Sequence, residues 1–266
     1  MRFLLAVSLA LQLFQQGLDL YYQGKYREAA AAFTRAIQQD PGLLKAYRAR
    51  AKAEEKLGLL DRALEDVNYF LSRNPRDQDA LYLRMRLYIK KKKYEKALED
   101  AELLLSISPE EPTYLYSKAL ILESTGRLGE ASLIFEKASR LFLDESYREL
   151  SSFKARVDRN AELLKQGKNL LEALTELDEL LQGKHPVHLA PAIPMVARLF
   201  FYGEGMVWFM AKNLIISYAR RVPQDRAWVW NLVLKEFNLW SRGKKKKEIK
   251  RMERELSSLR ALMGVK

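Results

Sequence analysis

Apolar residues recur along the first half of the chain in short stripes at helical spacing. Leu13, Phe14 and Leu20 form one stripe, and Ala29, Phe33, Ala36 and Ile37 form the next. Residues three, four or seven apart lie on one face of an α-helix, so each stripe predicts an amphipathic helix with one buried side. A Gly or a basic turn separates the two helices of each pair, at Gly24, Gly58, Lys92 and Gly126. Pro41, Pro75 and Pro109 follow the second helix, where a proline cannot continue the preceding turn.

The stripes recur at a single interval. The three prolines are 34 residues apart, and Ala29, Ala63, Ala97 and Ala131 keep the same step. So do Tyr26, Leu60, Tyr94 and Leu128, then Phe33, Val67, Ala101 and Phe135, then Ala36, Phe70, Leu104 and Ala138. The small alanines let paired helices approach closely. One such pair cannot bury its own apolar face, so neighbouring pairs must stack.

A 34-residue unit with Gly-Lys-Tyr-Arg-Glu-Ala (Gly24 to Ala29) before an apolar helix and Asp-Pro-Gly (Asp40 to Gly42) after it resembles the tetratricopeptide repeat family. The resemblance implies an all-α fold, a right-handed superhelical solenoid of antiparallel helix pairs with C-terminal capping helices. Four repeats are expected over 10–145, at 10–43, 44–77, 78–111 and 112–145; the fourth has Leu143 where the others have Pro. A helical extension over 146–225 follows, with an eight-residue insertion and two degenerate repeats at 154–187 and 192–225. Residues 226–266 are expected to supply a capping helix and a basic amphipathic C-terminal helix. In that last helix Ile249, Met252, Leu256, Leu259 and Met263 keep a heptad seam, which predicts docking on the solenoid.

Charge and the chain ends narrow the choices. The net charge is +12, and the last 26 residues hold ten basic and three acidic side chains, including Lys244 to Lys247. The basic excess is therefore a tail property, and a nucleic-acid partner is not expected. Membrane association is carried as an expectation on the N-terminal segment and this tail. Residues 1–9, Met-Arg-Phe-Leu-Leu-Ala-Val-Ser-Leu, read as a hydrophobic lead-in or a short signal-like segment. Location stays open between the cytoplasm and export to the cell envelope or periplasm, and a membrane-associated assembly or trafficking factor of the envelope is the alternative function.

Catalytic chemistry finds little support. The chain has no Cys and only His185 and His188, and no phosphate-binding Gly-rich loop. Gly203 and Gly205 lack the rest of a dinucleotide fingerprint. The expectation is a non-catalytic protein-interaction scaffold with no cofactor and no metal.

The resemblance places the first helix of each pair on an inner, concave face that holds a peptide or partner helix. Projected by helical period, Tyr21, Tyr22, Lys45, Arg48, Lys52, Tyr82, Arg86 and Tyr116 are the candidate binding residues. A basic centre flanked by tyrosines suits a protein or peptide partner with acidic groups and apolar anchors. One branch of the family clamps acidic chaperone C-termini with Lys, Asn and Arg. The matching positions here are Phe14, Leu18, Ala49, Asp79 and Leu83, or one unit later Arg48, Lys52, Leu83, Thr113 and Ser117, and neither set reproduces that clamp.

Overall fold

The computed structural model describes residues 2–183, 185–242 and 244–265, with side chains from residue 7 onward. Met1 of the lead-in segment, Gly243 beside the lysine run and the terminal Lys266 lie outside the described residues. Among those described, every regular element is a helix. The chain divides into two compact units, Met1–Ile121 and Leu122–Lys266.

The first unit contains α1 (Arg2–Tyr22), α2 (Tyr26–Gln39), α3 (Leu44–Lys56), α4 (Leu60–Leu71), α5 (Gln78–Lys90) and α6 (Tyr94–Ile107). It also takes most of α7 (Pro112–Ser124), inside which the division falls. Consecutive helices pack as pairs, α1 on α2, α3 on α4 and α5 on α6, and each pair packs on the next. Pro41, Pro75 and Pro109 lie in the links between pairs, as their spacing predicts. Gly24, Gly58 and Gly126 turn the chain within pairs at φ of 77°, 76° and 78°, a left-handed conformation that costs a glycine little. Lys92 takes the same turn in the third pair at φ 55°.

Packing follows the repeat columns. Ala29, Ala63, Ala97 and Ala131 are all fully buried. A column the hydrophobic pattern did not single out, Gly17, Ala51, Met85 and Ala119, is buried as well. A Cβ on Gly17 would stand 2.5 Å from the Phe33 ring, so the first pair closes too tightly there for any side chain.

The second unit adds α8 (Leu128–Leu141), α9 (Glu145–Gln166), α10 (Leu170–Leu181), α11 (Ile193–Tyr202), α12 (Gly205–Arg221), α13 (Arg226–Trp240) and α14 (Lys246–Met263). The insertion after residue 145 is helical: it forms the opening turns of the 22-residue α9. Asp144 caps that helix by accepting from the Tyr147 amide at 3.2 Å, and Leu143 is left 94% exposed in the link. The His pair lies in a short 3-10 turn, Pro186–Leu189. Leu256, Leu259 and Met263 of α14 are buried in the core of this unit, where α14 packs on α12, and Ile249 and Met252 are half-buried. No described helix is long and apolar enough to cross a membrane.

Candidate functional site

All eight candidate binding residues belong to the first unit, on α1, α3, α5 and α7. The 34-residue step aligns Phe14, Arg48, Tyr82 and Tyr116 in one column and Leu18, Lys52, Arg86 and Leu120 in the next. Helix α1 touches α3, and α3 touches α5, so these columns run across adjacent first helices.

Arg48 is half-buried and held by acidic partners. Its Nη1 donates to Asp77 Oδ1 at 2.9 Å and Oδ2 at 3.1 Å and to Asp79 Oδ2 at 3.3 Å. Its guanidinium also lies 5.1 Å from the centre of the Phe70 ring. Arg86 Nη2 donates to both Glu55 oxygens at 2.6 and 2.7 Å, and Lys90 Nζ reaches Glu55 at 2.8 Å. Glu55 is only 4% exposed, so its two cations neutralise a buried carboxylate. These partners lie 29 to 31 residues from the arginines.

The other candidates are placed by aromatic contacts. Lys45 Nζ sits 4.8 Å from the Phe14 ring centre. Tyr82 packs at 5.6 Å from Tyr114 and lies 5.9 Å from the Arg86 guanidinium. Tyr21 contacts Tyr22 edge-on at 5.8 Å and Tyr26 at 5.3 Å. Burial, with Tyr26 and Glu55 close by, pushes the Tyr21 hydroxyl above the usual phenol range. Tyr116 is half-buried on α7, and Tyr22 is exposed. Lys52 is half-exposed and makes no hydrogen bond or ion pair among the described residues.

A family profile described as tetratricopeptide repeat matches residues 14–69 and 48–112, and a second of the same description matches 112–144. The chain belongs to the tetratricopeptide repeat family. A tetratricopeptide repeat protein from Parabacteroides merdae ATCC 43184 shares the fold with a TM-score of 0.58 and 17% identity, over 96% of this chain and 99% of that one. YrrB, a tetratricopeptide repeat protein with an unusual peptide-binding site, gives a TM-score of 0.52 at 20% identity, over 77% of this chain and 97% of that one. PilF of Pseudomonas aeruginosa gives 0.52 at 18% identity, over 82% of this chain and 94% of that one. Curated proteins give no match.

Tetratricopeptide repeats are protein-interaction scaffolds, and in this one a polar ladder ties the repeats together. Arg50 donates to both Asp66 oxygens at 2.7 Å and to the Thr34 hydroxyl at 3.1 Å. One repeat later, Arg84 donates to Asp100 at 2.6 to 3.2 Å and to Asn68 at 3.1 Å. Lys118 continues the column with Glu102 at 3.2 Å. Each cation thus joins the second helix of its own repeat, the previous one, or both. The signal was present as the columns Arg50, Arg84, Lys118 and Asp66, Asp100, but hydrophobic periodicity does not read it. Burial pushes the Asp100 carboxyl up even against the pull of Arg84.

The second unit buries a further polar cluster. Lys154 of α9 pairs with Glu123 at 2.6 Å, and its amine lies 5.2 Å from the Phe135 ring. Asp158 is 1% exposed, and neither of its carboxyl oxygens has a hydrogen-bond partner. Burial and the Glu123 charge push it up to about 8, against the pull of Lys154. Burial, then Lys154 and His185, hold His188 below the usual imidazole value.

Proposed function

We propose that the first-helix face of α1, α3, α5 and α7 binds a peptide or partner helix, as a non-catalytic scaffold. The observation that carries the reading is the setting of Lys52. Its amine has no partner among the described residues, one turn from Arg48 on its own helix and in the Arg86 column. Those two arginines are already matched by Asp77, Asp79 and Glu55. Their role is to fix the surface, and Lys52 is the cation that meets an acidic group on the partner. Tyr21, Tyr22, Tyr82 and Tyr116 supply rigid apolar contact area around it. The peptide-binding site described for YrrB, which has the same fold, supports this use of the architecture.

The test follows from which charges are already matched. Reversing Arg48 or Arg86 would set like charges beside Asp77 or the buried Glu55 and destabilise the protein, so those variants confuse folding with binding. Lys52→Glu should leave the unfolding free energy within about 0.5 kcal/mol of the parent. Affinity for a partner captured by the intact chain should fall by about 2–5 kcal/mol if the pair is desolvated. Tyr82→Ala should also weaken binding, with little change in salt dependence. Parent-like affinity in both variants would move the contact off this face.

A further inference from the structure

A second cleft lies in the first unit, away from the first-helix columns. It has a volume of about 570 Å³ and runs between α2 and the α3–α4 hairpin. Arg27 and Arg35 of α2 and Arg62 of α4 stand on its walls, Ala30, Ala31, Leu57 and Leu59 give it apolar surface, and Glu54 lines it as well. None of the eight groove candidates touches it.

The charge at this cleft is unbalanced. Among the described residues, the side chains of Arg27, Arg35 and Arg62 make no ion pair and no hydrogen bond. Arg50, one turn before Glu54 on α3, is bound by Asp66 and Thr34. Glu54 is 6% exposed, and its Oε2 has no hydrogen-bond partner. Three exposed guanidinium groups around one buried carboxyl leave the cleft positively charged, which attracts an anionic ligand. A buried carboxyl oxygen without a partner calls for a donor on the same ligand.

We propose that this cleft binds an acidic peptide segment in extended form, at a site separate from the first-helix groove. Carboxylates of the segment meet the three arginine forks, and a backbone N–H donates to Glu54 Oε2. Arg27 and Arg35 are eight residues apart on one helix, about 12 Å along its axis. Side chains four residues apart on an extended strand span about 13 Å, so one such segment reaches both. A DNA backbone satisfies the arginines but offers acceptors only and leaves Glu54 facing phosphate. A peptide supplies both kinds of group, and the apolar lining receives its side-chain stems.

Fluorescence anisotropy on the full chain tests this, with labelled acetyl-hexaglutamate amide as the probe and the hexaglutamine peptide as its neutral match. The parent should bind hexaglutamate and not hexaglutamine. Arg27→Gln/Arg62→Gln should weaken hexaglutamate at least tenfold with an unchanged melting midpoint, whereas Lys52→Glu should change it less than threefold. A parent that does not bind the probe overturns the proposal. So does a loss that follows Lys52→Glu, or neutralisation of Lys244 to Lys247, in place of the cleft variant. Equal displacement of the probe by single-stranded oligothymidylate would assign the cleft to nucleic acid and overturn it too. Because the groove reading is tested on its own captured partner, either can fail without the other.

Discussion

Lys92 stands where Gly24, Gly58 and Gly126 stand in the other turns, and it adopts their left-handed backbone at φ 55°. That conformation costs a side-chain-bearing residue about 1–2 kcal/mol. Glycine's extra freedom in the unfolded chain costs about 0.5–1 kcal/mol. Lys92→Gly should therefore raise stability by roughly 0.5–1 kcal/mol, seen as a higher denaturation midpoint. A lower midpoint would mean that the Lys92 side chain makes a contact outweighing the strain. The column itself was legible, because a basic turn in the glycine position breaks the pattern visibly. The ion pairs of Arg48 and Arg86 were not. They tie α3 to α5 or to the cap before it at 29 to 31 residues, where no column of like residues marks them.

Asp158 poses the sharper residue-scale case. Its carboxyl is raised from 3.8 to about 8, so the folded state holds a proton that the unfolded chain releases. The stability it confers is full below about 3.8 and is lost as pH rises through about 8. Around it stand Glu123 from α7 and Lys154 of its own helix, and Glu123 acts to raise it while Lys154 lowers it. Asp158→Asn removes the titration. The variant should gain about 1–3 kcal/mol at pH 9 relative to the parent, with a smaller difference at pH 5. Parallel stability curves for the two proteins from pH 5 to 9 would show that Asp158 is already ionised when folded. This cluster lies in the stretch where the 34-residue period fades, so no column pointed to it.

At the scale of helices, tight pair contacts and polar rungs cooperate. The fully buried alanines bring the helices of a pair together, and Arg50 and Arg84 then bridge to the preceding pair through Thr34 and Asn68. Ala97 of α6 lies in the same core as Ala63, Met85 and Ala101. Ala97→Leu must displace those neighbours and should cost about 1–3 kcal/mol, read as a lower urea midpoint with an unchanged slope. An unaltered midpoint would mean that α6 has slack on this face. Helix boundaries in the first unit were readable because turn glycines, prolines and apolar stripes agree. In α9 they were not: the insertion after residue 145 has no stripe of its own, yet it joins the helix that follows.

At the scale of the whole molecule, the repeats matched by the family profiles end at residue 144, whereas the compact division falls at 121/122, inside α7. Sequence similarity records ancestry of the repeat, and compactness records which apolar surfaces share a core. The core residues sort accordingly. Phe33, Val67, Leu81, Leu104 and Ile121 pack within the first unit, and Leu128, Val157, Leu177, Phe200 and Leu259 pack within the second. Stacked repeats draw their stability from each repeat and its immediate neighbours, so a run of them folds without the rest of the chain. A fragment of residues 1–124, which keeps α7 whole, should thus retain helical circular dichroism and melt cooperatively. Its midpoint should fall when Arg84→Ala removes a rung, because Asp100 then loses its partner while buried. Ending at 107 instead, before α7, should lower the midpoint by exposing Leu104, which is otherwise fully buried. A coil-like spectrum for residues 1–124 would mean that the first unit depends on residues beyond Ser124, and that the division at 121/122 is one of packing density and not of folding.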